Sequence, residues 1–143
     1  MTNPATDPYD LQRFLTAQAP VIDQVRAELG GGRKSSHWMW FIFPQIAGLG
    51  RSETARFYAI SSCREAAAYL AHPVLGKRLV ECTRLVNAVN GASAEQIFGN
   101  VDAVKFRSCM TLFVTVAPEQ TEFADALRKF FNGAADEATL ERI

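Results

Sequence analysis

The sequence predicts an all-α fold, a compact single domain over residues 1–143 built from about seven or eight mostly short helices. Apolar residues recur at three- and four-residue spacing in most segments, which is the period of one buried helical face. Prolines and glycines interrupt these segments often, so most helices must be short. No pair of segments has the alternating pattern of two adjacent strands. We expect residues 1–8 to be flexible.

A first apolar stripe begins after Tyr9 and predicts the N-terminal helices. Pro20 interrupts it, and because proline removes a backbone hydrogen bond, we expect two short helices or one helix kinked near residues 16–20. Glycines 30–32 end the second helix, since glycine adopts the left-handed C-terminal conformation easily. The stripe consists of Leu11, Phe14, Leu15, Ala19, Ile22, Val25 and Leu29.

A short aromatic helix is predicted next, capped by Ser35 or Ser36 and continuing through Ile42. Pro44 ends it, because the residue before a proline is disfavoured in the helical region. A loop with two glycines follows over residues 45–51. Glycines let a backbone bend or approach a ligand, but this spacing matches no known phosphate-binding loop.

Serines predict two helix starts beyond this loop. Ser52, or alternatively Thr54, is expected to cap a brief turn. Ser62 and Glu65 have the spacing of a capping box, in which each side chain accepts a hydrogen bond from the backbone N–H of the other residue. The helix that follows this box is expected to end at Ala71.

The next helix is predicted to begin at Pro73, because a proline suits the first helical position, where its missing N–H needs no partner. Gly91 is expected to close this helix. A single helical turn from Ser93 to Phe98 follows, with the serine as its cap and Gly99 at its end.

The C-terminal third is also predicted to be helical. Asn100 or Asp102 caps a segment rich in Val, Thr and Phe, whose apolar stripe has the helical period and not the alternation of a strand. Pro118 is expected to start another helix that ends at Gly133. Asp136 is expected to cap a last short helix.

Composition and charge exclude several classes of protein. The 15 basic and 15 acidic side chains cancel, so no overall field attracts nucleic acid or an anionic membrane. Three cysteines far apart argue against a disulfide framework, and with only two histidines we expect no metal site and no cofactor. The longest apolar run, residues 38–44, is too short to cross a bilayer, and no secretory signal is visible. We therefore expect a cytoplasmic protein, and the sequence predicts no oligomeric state.

Aromatic and potentially functional side chains are most concentrated in the stretch from Lys34 to Ser52. Ten residues within it hold both tryptophans, two phenylalanines and one of the two histidines. A helix that is apolar on nearly every face must be buried or must contact a partner. Core packing is the simplest interpretation for the phenylalanines. The two tryptophans suit a core and a pocket wall equally well, because an indole ring can also stack on a flat ligand.

Two groups of residues identify a family. The first consists of Lys34, Ser36, His37, Trp38, Met39, Trp40, Phe41, Phe43, Pro44, Gln45, Gly48, Leu49, Gly50 and Ser52. The second includes Tyr58–Ile60, Ile97–Gly99, Asp102, Lys105, Ser108, Met110–Phe113, Asp136, Thr139 and Leu140. With these residues the chain resembles an uncharacterised bacterial family, the domain-of-unknown-function family 1810, over nearly its whole length. Cys109 stands where the family pattern has a serine.

The resemblance implies a compact all-helical domain and no established activity. Members of the family often carry the label calpastatin. That inhibitor is a largely disordered chain built from repeats, and this sequence shows neither property, so we do not transfer the label.

We hypothesise that a pocket around residues 34–52 binds a small anionic ligand, with a nucleotide-like ligand as one candidate, because aromatic surface lies beside cationic and amide groups there. Asp102, Lys105 and Ser108 recur at three-residue spacing, and if they face the aromatic helix across a cleft they add an acid, a cation and a hydroxyl. The candidate ligand-binding residues are Lys34, His37, Trp38, Trp40, Gln45, Arg51, Ser52 and Ser108.

Two alternatives stay open. The first is an enzyme that cleaves a glycosidic or phosphoester bond in an ADP-ribosyl-type substrate, with His37, Asp102 and Lys105 as candidate catalytic residues. The second is a protein interaction module that docks through the helix of Trp38 and Trp40. Each residue also has a structural explanation: a hydrogen-bonded histidine, an exposed ion pair, or buried aromatic rings.

Overall fold

The structure is a computed structural model that describes residues 6–143, and within them it forms ten helices. They are α1 (Gln12–Gln18), α2 (Ile22–Gly30), α3 (Met39–Ile42), α4 (Glu53–Phe57), α5 (Cys63–Ala71), α6 (Leu75–Asn87), α7 (Ala94–Phe98), α8 (Asn100–Val116), α9 (Thr121–Phe131) and α10 (Glu137–Leu140). The all-α prediction is confirmed. The predicted number of helices was too low, and four of the ten helices, α3, α4, α7 and α10, have only four or five residues.

The predicted flexibility of residues 1–8 falls partly on residues 1–5, which lie outside the described residues. Asp7 lies within the described part and has a defined role. Its carboxylate accepts hydrogen bonds from the backbone N–H groups of Leu11 and Gln12, at 2.8 and 3.0 Å. It therefore satisfies free donors at the start of α1.

Several helix ends follow the local signals in the sequence. α1 ends at Gln18 and α2 begins at Ile22, so the interruption at Pro20 separates two helices. Ser62 caps α5, which ends at Ala71 as predicted. These boundaries are set by neighbouring residues alone, which is why the sequence is sufficient to locate them.

The starts of α7 and α10 were also predicted correctly. The Oγ of Ser93 accepts a hydrogen bond from the Gln96 backbone N–H at 3.1 Å, and the Gln96 side chain accepts one from the Ser93 N–H at 2.8 Å. This pair forms a complete capping box. Oδ2 of Asp136 caps α10 by accepting from the Thr139 N–H at 3.0 Å.

Other helix starts differ from the predictions. α8 begins directly after Gly99, and no side chain caps it, so the caps predicted at Asn100 and Asp102 were wrong. Gly99 has φ of 85°, and this turn joins α7 to α8 without a loop that could hold a cap. Pro73 and Pro118 lie in the turns before α6 and α9 instead of starting these helices.

The Glu65 side chain does not complete the predicted capping box with Ser62, because its carboxylate binds Ser61 and Arg13. Its Oε1 accepts hydrogen bonds from the backbone N–H and hydroxyl of Ser61, at 2.9 and 2.8 Å. Its Oε2 pairs with Arg13 at 2.8 Å, and both side chains are at least 90% buried. Arg13 also donates to the carbonyl oxygens of Phe57 and Ala59. This arginine therefore ties α1 to α5 and to the segment before α5.

α8 lies at the centre of the fold and packs against α5, α7, α9 and α10. Its buried side chains are Ala103, Phe106, Ser108, Cys109, Met110, Thr111, Leu112 and Phe113. All of them except Ser108 and Thr111 belong to one continuous apolar core that also receives side chains from α1, α2, α3, α5, α6 and α9. The Val- and Thr-rich segment is thus a helix, as its period predicted.

The loop after α3 is attached to the core by a short extended contact. Ile46 and Ile60 form one isolated parallel bridge, with hydrogen bonds of 2.8 Å on both sides of it. Both isoleucines are at most 2% exposed. The bridge fixes the two ends of a segment that contains the two loop glycines and α4.

Cys82 and Cys109 lie in the core. Burial raises the pKa of Cys82 to about 12, and burial also raises the pKa of Cys109. Thiols in such surroundings stay protonated at neutral pH. Among residues 6–143, no helix combines the length and the apolar composition that crossing a membrane requires.

Candidate functional site

The aromatic helix is held in place by a buried carboxylate in the last turn of α2. Oε1 of Glu28 accepts hydrogen bonds from the indole N–H of Trp38 at 3.0 Å and from the backbone N–H groups of Ser35 and Ser36 at 2.7 and 3.0 Å. Oε2 accepts from the Ser36 hydroxyl and from the Gln24 amide. The serines do not cap α3, because the helix begins only at Met39, with Trp38 in the capping position, and the Ser36 hydroxyl donates to Glu28.

Glu28 stays ionised although it is only 7% exposed. Burial by itself raises the pKa of this carboxyl, but the hydrogen bonds it accepts outweigh that effect and lower the pKa from 4.5 to about 2. The carboxylate thus stabilises the chain between α2 and α3 in one conformation. Trp38 is 1% exposed and belongs to this structural arrangement.

Asp102 and Lys105 of α8 contact the aromatic stretch, which the pocket hypothesis requires. Nζ of Lys34 lies 2.8 Å from Oδ2 of Asp102, and these side chains are 9% and 18% exposed. Nζ of Lys105 lies 3.5 Å from Oδ1 of the same carboxylate. One carboxylate is therefore shared by two ammonium groups, and the three side chains carry a net charge of one positive unit.

The two lysines each lie over a tryptophan. Nζ of Lys34 is 5.1 Å from the ring centroid of Trp38, and Nζ of Lys105 is 4.8 Å from that of Trp40. Both distances are within the range of a cation–π contact. Trp40 is partly exposed, and its indole N–H makes no hydrogen bond within residues 6–143. The two tryptophans thus differ: one is enclosed and one faces an open surface.

A groove of about 490 Å³ opens beside Lys105, and we call it the Lys105 groove. Its polar lining residues are Gln45, Asn100, Lys105, Ser108 and Asp136. Its apolar lining residues are Leu49, Val101, Val104 and Ala138. Although five lining residues are polar, most of the exposed lining surface is apolar, and a cavity of this size with such a lining has the character of a small-molecule site.

A smaller cavity of about 140 Å³, which we call the Trp40 hollow, adjoins the groove. Gln45 and Gly50 line both cavities. Trp40, Arg56 and Tyr58 line the hollow alone. Within the described part of the chain, no residue forms a hydrogen bond with the Gln45 amide, the Arg56 guanidinium or the Tyr58 hydroxyl. The hollow therefore gathers polar groups that are not used by the fold.

The loop glycines are explained by close contacts within the protein. A Cβ atom on Gly50 would lie 2.4 Å from the Cβ of Ala55, in the middle of α4. Gly48 has φ of 98°, and a Cβ there would lie 3.0 Å from Nε of Arg142. Both positions require glycine for the loop to follow its path along the hollow.

Three of the predicted ligand-binding residues lie away from the contacts described so far. His37 and Arg51 are exposed, and neither side chain makes a hydrogen bond or ion pair with any residue from 6 to 143. Ser52 caps α4 by accepting from the Ala55 N–H at 3.1 Å. The geometry brings Lys34, Trp40, Gln45, Asp102 and Lys105 together, and leaves His37 at the surface before α3.

Ser108 lies at the bottom of the Lys105 groove and is 1% exposed. Its Oγ lies 2.7 Å from Oγ1 of Thr139. The Thr139 hydroxyl in turn donates to Oδ2 of Asp136 at 2.6 Å. Since the threonine proton is used for Asp136, Ser108 must donate to Thr139. The chain of hydroxyls joins α8 to α10 and leaves Oδ1 of Asp136 without a described donor.

Sequence reasoning missed three residues of this region. Glu28 carries a signal that could have revealed it, because a carboxylate in the last turn of a helix opposes the helix dipole and needs another partner. Arg56 and Tyr58 carry no such signal, since only the folded loop places them beside Trp40. No cluster of His, Cys, Asp and Glu side chains suited to hold a metal ion occurs in the described part of the chain.

The chain is similar to proteins whose functions are not described. A family model described as "Protein of unknown function (DUF1810)" matches residues 8–143. The crystal structure of a conserved hypothetical protein from Mycobacterium tuberculosis is 52% identical in sequence, with a TM-score of 0.93. This match covers 94% of the present chain and 96% of that one. No curated protein gives a significant match.

Proposed function

The chain belongs to the DUF1810 family of proteins of unknown function, and we propose that it binds a small anionic, hydroxyl-bearing ligand in the Lys105 groove. The observation that carries the proposal is the sharing of Asp102 by Lys34 and Lys105. Lys34 takes the shorter contact and is the more buried of the two lysines. Lys105 is left with a weakly compensated charge at the edge of the groove, where a carboxylate or phosphate can approach it.

Two further groups support a ligand of mixed character. The Gln45 amide faces the groove without a described partner and can both donate and accept. Asp136 lines the groove with its free Oδ1, which accepts hydrogen bonds from hydroxyl groups. An anion near Lys105 and hydroxyls near Asp136 describe a sugar phosphate or the ribosyl phosphate part of a nucleotide.

The alternatives receive less support from the geometry. Hydrolysis by His37 and Asp102 lacks a supporting contact, since His37 has no described hydrogen bond and Asp102 is held by two lysines. Docking through the aromatic helix would depend on Trp40 and Phe41, which are partly exposed, because Trp38 is 1% exposed.

Thermal unfolding in the presence of ribose 5-phosphate, ADP-ribose, adenosine 5′-monophosphate and inorganic phosphate tests the proposal. A ligand that binds only the folded state raises Tm, and we expect at least one sugar phosphate to do so at millimolar concentration. Calorimetric titration of that compound into Lys105→Gln protein should give at least about tenfold weaker binding, because a charge-assisted contact is lost.

Lys77→Gln is the matched control, since Lys77 is an exposed lysine on α6 that makes no described ion pair. This variant removes the same charge from another face and should bind like the wild type. The proposal is wrong if no compound of the series raises Tm, or if the two lysine variants weaken binding equally. Lys105→Gln should fold normally, because Asp102 keeps its contact with Lys34.

A further inference from the structure

We infer that the Trp40 hollow is a ring-binding subsite, and that the ligand of the Lys105 groove carries a single six-membered heterocycle with ring carbonyl oxygens. This inference rests on the proposed function and names the class of ligand more closely. It is carried by the size of the hollow, its position beside Lys105 and the unused polar groups in its wall.

The size of the hollow selects one ring. Its volume is about 140 Å³. A protein cavity of roughly 150 Å³ accommodates one benzene molecule. A six-membered heterocycle therefore fits the hollow, whereas a fused purine ring system exceeds it.

Aromatic side chains supply the surface for such a ring. Trp40 and Tyr58 both line the hollow, and the Tyr58 ring is braced by Phe41 and Phe57 at centroid distances of 5.3 and 4.8 Å. An aromatic wall held in this way is preorganised for stacking, which contributes about 1–3 kcal/mol for one base.

The polar groups in the wall recognise acceptors. Arg56 presents only donors, and the Gln45 amide and the Tyr58 hydroxyl each add at least one more. None of these groups has a described hydrogen-bond partner in the protein. Ring carbonyl oxygens, such as those of uracil, are the complementary groups on a six-membered heterocycle.

The position of the hollow links it to the anion site. Lys105 lies 4.8 Å from the centroid of the Trp40 ring, and Trp40 lines the hollow. Gln45 and Gly50 form the boundary between the two cavities. A ligand that spans this boundary places its ring against Trp40 and its anionic group at Lys105, which is the arrangement of a pyrimidine nucleotide.

Calorimetric titration with three compounds tests the inference: uridine 5′-monophosphate, adenosine 5′-monophosphate and ribose 5-phosphate. The uridine nucleotide should bind at least about tenfold more tightly than ribose 5-phosphate, which lacks a ring, and more tightly than the adenosine nucleotide. The subsite is wrong if the three bind equally or if the adenosine nucleotide binds best. Failure of ribose 5-phosphate and both nucleotides to bind would instead overturn the proposed function itself.

Two variants locate the ring. Ala47→Leu fills the hollow from an exposed position, so it should remove the advantage of the uridine nucleotide and leave ribose 5-phosphate binding unchanged. Arg56→Gln should reduce the same advantage, whereas the control Arg64→Gln, an exposed arginine on α5, should not. If the uridine nucleotide still binds more tightly than ribose 5-phosphate to both the Ala47→Leu and the Arg56→Gln variants, the ring binds elsewhere and the subsite is wrong.

Discussion

Nζ of Lys34 lies 2.8 Å from Oδ2 of Asp102, which joins the segment before α3 to the first turn of α8. Both side chains are largely buried, so the pair is weakly screened and keeps a fixed geometry. The acidic partner also lies in the first turn of α8, where a negative charge is favoured by the helix dipole. The pair thereby positions Lys105, one turn further along α8, at the edge of the groove.

Replacing Glu28 by Ala should lower the free energy of unfolding by about 3 kcal/mol. The substitution removes the acceptor of the Trp38 indole and of two backbone N–H groups in a buried place. Urea unfolding measures the loss. Glu119→Ala, at an exposed position without a described contact, should change the stability by less than about 0.5 kcal/mol. Equal effects of the two substitutions would contradict the role of Glu28.

Acid should destabilise the protein through Glu28. The pKa of this group in the folded state is about 2, below the ordinary value of 4.5. Ionisation therefore favours folding: the stabilisation is complete above about pH 4.5 and is lost as the pH falls through about 2, with a size on the order of 3 kcal/mol.

Unfolding by urea at a series of pH values measures this effect. The Glu28→Gln variant should lose less stability than the wild type between pH 4.5 and 2. Glu122, whose pKa is also lowered, first by a hydrogen bond from Gln120, contributes with the same sign in both proteins and cancels in the comparison. Parallel pH profiles of the two proteins would show that Glu28 is not the responsible group.

The two tryptophans should respond differently to replacement by phenylalanine. Trp38→Phe removes a buried indole and leaves Glu28 with one donor fewer, so we expect a loss of about 2–3 kcal/mol. Trp40 is partly exposed and has no described hydrogen bond, so Trp40→Phe should cost less than about 1 kcal/mol. Thermal unfolding of both variants ranks them, and the reverse order would contradict the assignment of Trp38 to the core.

Gly76 should tolerate no side chain. A Cβ atom there would lie 1.8 Å from the backbone oxygen of Leu70, so Gly76→Ala should cost about 3 kcal/mol or more. Gly30 offers a matched control, because no atom lies within 4 Å of a Cβ built on it and the residue ends a helix. Gly30→Ala should be neutral or stabilising by about 0.5 kcal/mol. A Gly76→Ala protein as stable as the wild type would show that α5 and α6 are less closely packed.

The parts of the fold that depend on neighbouring residues were predictable. The break at Pro20 and the caps at Ser62, Ser93 and Asp136 involve contacts within a few residues, which a sequence pattern records directly. The start of α3 was not predictable in this way. Ser35 and Ser36 donate hydrogen bonds to Glu28 of α2, so a contact between two separate segments decides where α3 begins.

The site was predictable only in part. Periodicity placed Asp102, Lys105 and Ser108 on one side of α8, and the structure brings the first two to the aromatic stretch. Which tryptophan is enclosed did not follow from the sequence, because α3 is apolar on nearly every side. Arg56 reaches the hollow only through the path of the glycine loop.

Nuclear magnetic resonance of the two indole N–H groups tests the central claim most directly, since the chain contains only two tryptophans. Trp40→Phe assigns the signals. When ribose 5-phosphate is added, we predict a saturable shift of the Trp40 signal, because Lys105 lies over its ring, and no shift of the buried Trp38 signal. Two unmoved signals up to millimolar ligand, or a shift of the Trp38 signal without a shift of the Trp40 signal, would contradict binding at the Lys105 groove.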